Sequence, residues 1–298
     1  MWQYGQMENI NRRDFMKRVG ISTAGASLLG TSALLTACSN DSESGTDTST
    51  DETSVNIAAA IISSDLHNSE TSQRLAFSIF DSNKQIIARK PTSVVLVAPS
   101  KKEQVFKDVA LRDKGIKDKG IYSVNAILNE TGPWLVKTKH QSKPLELNVS
   151  VAQDNIAPFE GDICPSSPTP TNSNPLDAKI LCTKFEGDCG LHSNSTDQLL
   201  ASGKPFVVLF ATPARCQTAY CGPVLDLTLE EAKKFDIDIV HVEIYKDDVS
   251  NAVLDAVTAW NIPSEPWMFG VTKEGKISKR LDGAFDQTEI AELIQELI

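Results

Sequence analysis

The chain has 298 residues, a formal net charge of −10 and a pI near 5.0. An acidic balance of this size lacks the basic surface that nucleic acids and anionic membranes attract, so we expect no nucleic-acid partner. The length is sufficient for two domains with cores of their own, and the six cysteines favour an oxidising compartment, where disulfides persist.

Residues 1–37 have the features of an export signal. Arg12 and Arg13 precede a weakly apolar run rich in Gly, Ser and Ala, which ends in LTAC at Cys38. This order resembles a twin-arginine signal joined to a lipobox, which implies export of a folded chain and lipidation of Cys38. We therefore expect a cell-envelope protein that contacts the membrane through this lipid. Because Ser39 is not aspartate, the periplasmic side of the outer membrane is the expected location where two membranes exist.

The next two segments differ sharply in composition. Residues 38–54 are acidic and rich in hydroxyl side chains, which predicts a disordered tether. Residues 55–153 contain short runs of strand length and β-rich content, namely QRLAFSIFD, SVVLVAP, GIYSVNAIL, PWLVKT and LELNVSVA. These runs predict an all-β antiparallel sandwich.

One motif sharpens this prediction. In DKGIYSV, Asp118, Gly120 and Tyr122 are placed as in the tyrosine corner of immunoglobulin-like folds. The segment therefore resembles an immunoglobulin-like sandwich. Val124 stands two residues after the tyrosine, where such folds often have a cysteine, so we expect no inter-sheet disulfide.

The remainder of the chain has the pattern of an α/β domain. Residues 154–179 are dense in Pro, Ser and Asn, which predicts a linker or an irregular lead-in. Over residues 180–298 the order βαβαββα is read from PFVVLF, PVLDLTLEEAKKF, IDIVHVEIY, NAVLDAVTAW, PWMFGV, ISKRL and QTEIAELIQELI. Ser250 can cap the second of these helices, and Asp286 with Glu289 can form a capping box for the last.

Two motifs in this domain carry a specific resemblance. YCGPV at residues 220–224 stands where thioredoxins have Trp-Cys-Gly-Pro-Cys, and IPSEPWMFGV contains Pro266 at the position of the family's cis-proline. The segment is similar to a thioredoxin-superfamily domain of a bacterial envelope lipoprotein. The resemblance implies a thioredoxin-like fold and a thiol–disulfide site in which Cys221 faces Pro266. Val224 replaces the second cysteine of the family motif, and Cys216 supplies the other sulfur.

The leading interpretation is a thiol–disulfide oxidoreductase or redox partner protein that uses the Cys216/Cys221 C-x4-C pair on a protein thiol partner. Cys221 stands at the N-terminus of a predicted helix, where unpaired N–H groups and the helix dipole favour a thiolate. We therefore predict that Cys221 attacks and that Cys216, on the preceding loop beside Arg215, resolves the mixed disulfide. No cofactor and no metal site are expected.

Two alternatives remain open at this point. Cys216 and Cys221 could form an inert structural disulfide in a non-catalytic binding or scaffold lipoprotein. They could also bind copper, as in Sco-type chaperones, which pair two nearby cysteines with a later histidine on the same fold. His241, within IVHVEIY, is the candidate histidine.

Three further cysteines need an assignment. Cys182 and Cys189 bracket a turn in CTKFEGDCG, and we predict that they form a structural disulfide, with a second redox pair as the alternative. Cys164 is then left over as a free thiol or an intermolecular contact.

Overall fold

The computed structural model describes residues 57–81, 92–116, 120–140, 142–184, 188–216 and 220–298. The export signal predicted over 1–37, the tether predicted over 38–54, the lipidated Cys38 and Asp118 of the tyrosine-corner motif lie outside these ranges. Within them, no helix has the length and apolar character needed to cross a membrane. The described residues belong to one compact unit.

The first half of this unit consists of eight strands in two antiparallel sheets, ordered β1-β2-β6-β5 and β4-β3-β7-β8. The strands are β1 (Ile57–Ile61), β2 (Ser72–Asp81), β3 (Thr92–Val97), β4 (Glu103–Val109), β5 (Leu111–Arg112), β6 (Ile121–Ile127), β7 (Gly132–His140) and β8 (Lys143–Val151). Buried and exposed residues alternate along β8, as expected for a strand with one face on a core.

Side chains from both sheets share one hydrophobic core, which includes Leu75, Phe77, Leu96, Trp134 and Val136. The two sheets therefore pack as the β-sandwich that the sequence predicts.

The second half is a mixed four-stranded sheet with helices. Its elements are α1 (Thr196–Ser202), β9 (Phe206–Phe210), α2 (Cys221–Ala232), β10 (Asp238–Val242), α3 (Asp255–Ala259), β11 (Trp267–Val271), β12 (Ile277–Asp282) and α4 (Gln287–Gln295). The strand order is β10-β9-β11-β12, in which β10 is parallel to β9 while β11 is antiparallel to both β9 and β12.

Both faces of this sheet are covered, which explains the uninterrupted apolar run of β9. On one face, Val208 and Phe210 pack in a core with Trp260, which directly follows α3. On the opposite face, Val207 packs in a second core with Leu225 of α2 and residues of α4. A strand buried on both faces needs apolar side chains at every position.

The two helix caps predicted from sequence have different outcomes. The capping box at α4 is confirmed, because the Asp286 carboxylate accepts the Glu289 backbone N–H at 2.9 Å and the Glu289 side chain accepts the Asp286 N–H. The cap predicted at Ser250 is wrong, because the residue directly before the helix is Leu254. Residues 250–254 are not helical, since Tyr245 pairs with Val253 in an isolated bridge, and α3 begins only at Asp255.

Residues 154–179 are an irregular lead-in that packs on the mixed sheet. The Gly161 N–H donates to the Ile277 carbonyl at 2.8 Å, and the Cys164 N–H donates to the Gly275 carbonyl at 2.8 Å. The segment thus satisfies backbone groups at the outer edge of β12.

The sandwich and the mixed sheet meet through buried charges. Arg74 of β2 donates to Glu289 of α4 at 2.8 Å and to the Ala284 carbonyl at 2.5 Å. Arg280 of β12 donates to the Asp65 carboxylate at 2.8 Å. Both arginine side chains are 9 % exposed. Because buried charges tolerate little displacement from their partners, these pairs fix the sandwich against the sheet.

Candidate functional site

Cys216 and Cys221 form a disulfide, with their Cα atoms 5.9 Å apart. Cys221 is the first residue of α2 and is fully buried, whereas Cys216 lies on the loop after β9 and is partly exposed. The backbone N–H of Cys221 donates to the Sγ atom of Cys216 at 3.2 Å. The sulfur that benefits from an N–H group at the helix N-terminus is therefore that of Cys216.

This arrangement favours the opposite roles from those predicted from sequence. The prediction gave the attack to Cys221 because this residue opens the helix, but its complete burial keeps its sulfur from a second protein. The Arg215 guanidinium contacts other groups than the two sulfurs. It stacks 3.9 Å from the centre of the Tyr245 ring and donates to the Asp247 carbonyl at 3.1 Å. Cys216 is the accessible member of the pair.

Pro266 lies at the same end of the sheet as the loop that carries Cys216. The Glu265–Pro266 peptide bond is cis. Trp267 pairs with Phe210, so the residue before β11 and the residue after β9 are neighbours. The Glu265 carboxylate accepts the Thr212 N–H at 2.6 Å, and burial raises the pKa of this carboxyl to about 7. Glu265 thus connects the segment containing Pro266 to the loop that leads to Cys216.

The sandwich covers the residue that precedes Cys221. Tyr220 is only 7 % exposed and packs in one apolar cluster with Ala76 and Ile121 of the sandwich and with Ala284. No local sequence pattern predicts this contact, because the residues that form it are far apart in the chain. The sandwich is therefore part of the surroundings of the disulfide.

A second constellation lies in the same half of the molecule. Cys182, Cys189, His192 and His241 each present one ligand atom, and these four atoms lie within 4.8 Å of one another. The Sγ atom of Cys189 is 3.4 Å from Nε2 of His192 and 3.4 Å from Nδ1 of His241. Cys182 and both histidines are buried, and Cys189 is partly buried.

The predicted disulfide between Cys182 and Cys189 is not formed, because each thiol instead takes part in hydrogen bonds within this cluster. Hydrogen bonding with Cys189, and with both histidines, lowers the pKa of Cys182 against the opposing effect of burial. The same pairing raises the pKa of Cys189. Cys164 is also a free thiol, but its burial, which raises its pKa to about 12, excludes the intermolecular contact considered from sequence.

The hydrogen bonds of His241 define its tautomer. Its Nε2 atom lies 2.9 Å from the Ala211 carbonyl, which can only accept, so Nε2 carries the proton and Nδ1 offers a lone pair to the cluster. His241 therefore contacts Cys189 and Ala211. The copper site that pairs His241 with Cys216 and Cys221 is not the arrangement found.

The loop that begins at Cys182 also contacts the disulfide region. The Lys184 ammonium donates to the Gly222 carbonyl in the first turn of α2 at 3.0 Å. Thr183 donates its backbone N–H to the Glu243 carboxylate at 2.7 Å, and its hydroxyl accepts the Ala214 N–H at 3.1 Å. Burial raises the pKa of Glu243 to about 8. Hydrogen bonds of Thr183 and Lys184 thus connect the cysteine–histidine cluster to the loop and the helix that carry the disulfide.

The sequence analysis assigned no role to His192 and considered His241 only together with Cys216 and Cys221. Two signals were present. Cys189 and His192 have the close spacing typical of metal ligands. His241 is a polar residue flanked by apolar residues within a strand. Neither signal identifies the partner without the tertiary fold.

No family model and no curated protein matches this chain. Among solved structures, the filamin domain of Lin-41 is similar over 32% of this chain and 93% of its own, with 9% identity and a TM-score of 0.24. A conjugative transposon lipoprotein from Bacteroides eggerthii DSM 20697 is similar over 32% of this chain and 95% of its own, with 8% identity and a TM-score of 0.17. Similarities this weak carry no argument about fold or function.

Proposed function

We propose that the chain is an envelope-anchored thiol–disulfide oxidoreductase whose Cys216–Cys221 pair exchanges with cysteines of a partner protein. The observation that carries this proposal is the position of the Cys216 sulfur, which belongs to the partly exposed residue of the pair and accepts the N–H of Cys221 at the start of α2. The cis peptide before Pro266, at the same end of the sheet, supports it. The strand order, the YCGPV segment and Pro266 support a thioredoxin-like class for the second half within this proposal.

The exchange proceeds in two balanced steps. The Cys216 thiolate attacks one sulfur of a partner disulfide, forming a new S–S bond while the other partner sulfur leaves as a thiolate. The Cys221 sulfur, as a thiolate, then attacks Cys216, closes the 216–221 bond and releases the second partner thiolate. Two electrons pass from the dithiol to the partner, and the reverse sequence oxidises a partner dithiol. The N–H of Cys221 stabilises the anionic sulfur in the first step.

The remaining assignments concern the location and the first half. The twin-arginine and lipobox features before Cys38 support a lipid anchor in the cell envelope, on the periplasmic side of the outer membrane where two membranes exist. The two four-stranded antiparallel sheets and the buried Tyr122, stacked on Phe77 with ring centres 5.3 Å apart, support an immunoglobulin-like class for the sandwich.

Mixed-disulfide trapping tests the proposal. A Cys221→Ser full chain retains the attacking sulfur and lacks the resolving one, so it should accumulate covalent complexes with partner proteins that thiol reductants release. Cys216→Ser is the matched control, because it retains only the buried sulfur and should trap nothing. Cys164→Ser removes an unrelated buried thiol and should leave the wild-type pattern. Trapping only with Cys216→Ser would reverse the roles of the two sulfurs.

One observation also favours the alternative of an inert disulfide in a scaffold lipoprotein. Cys221 is fully buried and Tyr220 beside it is covered by the sandwich, as a purely structural bond would allow. Titration of the full chain against thiol redox buffers separates the two functions. A reduction potential below about −300 mV, together with no trapped complex from either variant, would establish the inert bond and refute the oxidoreductase.

A further inference from the structure

The cluster of Cys182, Cys189, His192 and His241 has the dimensions of a tetrahedral metal site. Zinc is held at about 2.3 Å by thiolate sulfur and about 2.0–2.1 Å by imidazole nitrogen, which places neighbouring sulfur and nitrogen ligands about 3.5 Å apart in a tetrahedron. The two sulfur–nitrogen distances at Cys189 are each 3.4 Å. These two distances match that spacing, and all four ligand atoms lie within 4.8 Å of one another.

The charge of the cluster also fits a divalent cation. Two thiolates and two neutral imidazoles carry a charge of −2, which one Zn²⁺ neutralises. Cys182, His192 and His241 are at most 1 % exposed, so an unbalanced thiolate at this depth would be costly. Binding removes that cost, and the thiol protons pass to solvent when the metal enters.

A contact outside the four ligands holds one of them in a metal-binding orientation. His241 donates its Nε2 proton to the Ala211 carbonyl, which leaves Nδ1 unprotonated toward the cluster. Such an outer contact fixes the tautomer of a ligating histidine.

We propose that Sγ of Cys182, Sγ of Cys189, Nε2 of His192 and Nδ1 of His241 bind one zinc ion in a closed structural site. All four coordination positions come from the protein, which is the pattern of structural rather than catalytic zinc. The ion joins Cys182, Cys189 and His192 to His241 of β10. Through Thr183 and Lys184 it also stabilises the loop and the helix that carry the disulfide.

Metal analysis of the full chain, purified in detergent without a histidine tag, tests the proposal. We expect one zinc per chain by elemental mass spectrometry. Cys189→Ser and His192→Gln should each lower zinc retained after exposure to a chelator at least tenfold. Cys164→Ser and His67→Gln change a buried thiol and a buried histidine outside the cluster and should retain the wild-type content.

Cobalt substitution of the wild-type chain provides a readout that does not require any variant to fold. Replacement of zinc by Co²⁺ in the wild-type chain should give the visible bands of tetrahedral cobalt together with thiolate charge-transfer absorption. Octahedral cobalt bands, or copper in place of zinc in the purified chain, would overturn the assignment. So would a wild-type chain without metal in which mass spectrometry finds Cys182 joined to Cys189. None of these outcomes depends on trapping at Cys216.

Discussion

Replacement of Arg74 by methionine should strongly destabilise the chain. Arg74 pairs with both Glu289 oxygens, at 2.8 and 3.0 Å, and donates to the Asp282 and Ala284 carbonyls. Removing one partner of a buried ion pair costs about 3–5 kcal/mol, because the remaining carboxylates lose their counter-charge. For a unit of this size the midpoint of thermal unfolding should fall by roughly 6–20 °C.

The effect should depend on pH in a defined direction. Burial opposes ionisation of Glu289, but attraction and hydrogen bonding by Arg74 hold its pKa below the ordinary value. A depressed carboxyl pKa stabilises the fold above the unfolded pKa, and this contribution is lost as pH falls through the folded pKa. The wild-type advantage over Arg74→Met should therefore persist from pH 7 to about 4.3 and shrink as pH falls further.

Circular dichroism during thermal and urea unfolding measures this difference. Arg112→Met is the matched control, since Arg112 pairs with Glu292 at 3.0 Å but the two side chains are 30% and 42% exposed. The control should lose less than about 1 kcal/mol. The double variant Arg74→Met/Glu289→Gln should regain part of the lost stability. Equal losses in Arg74→Met and Arg112→Met would refute the inference that the buried interface fixes the two halves.

Three further outcomes are expected. Burial raises the pKa of Glu265 to about 7, so its contribution to stability is present below pH 4.5 and is lost as pH rises to about 7. In the wild-type chain the free energy of unfolding should fall by about 1–2 kcal/mol over this pH range, after allowance for the partial exposure of Glu265. Glu265→Gln should remove this pH dependence. The same pH profile of unfolding in wild type and variant would contradict the prediction. At Gly283, with φ of +72°, a Cβ atom would lie 2.5 Å from the Ile62 carbonyl oxygen, whereas at Gly161, with φ of +94°, it would meet nothing within 4 Å. Urea unfolding should therefore show that Gly283→Ala costs at least about 1 kcal/mol more than Gly161→Ala, and equal costs would mean that Ile62 moves freely. Cys38→Ala should release the chain from membranes during fractionation, and unchanged membrane association would exclude the lipid anchor.

Local sequence patterns were sufficient for elements whose burial follows a simple period. The continuous apolar run of β9, the capping box of Asp286 and Glu289, and the alternation in β8 each report the environment of a single element. Such patterns record which face is buried but not what covers it. The shortening of α3 illustrates the limit, because the bridge between Tyr245 and Val253 outweighs the local helical period.

The candidate sites depend on contacts between distant residues and were therefore only partly predictable. YCGPV and Pro266 located the disulfide region, but exposure decided which sulfur is accessible, and exposure is set by tertiary packing around α2. His192 and His241 come together because a loop folds onto β10, and no spacing in the sequence specifies that contact.

The burial of Cys221 in the core between the mixed sheet and α2 has a consequence for oxidative damage. Hydrogen peroxide converts an accessible thiolate to sulfenic acid and then irreversibly to sulfinic acid. Of the two sulfurs of this pair, this chemistry therefore falls on Cys216 rather than on Cys221. A sulfenic acid formed there lies beside the Cys221 thiol, which can condense with it, release water and restore the disulfide before a second oxidation.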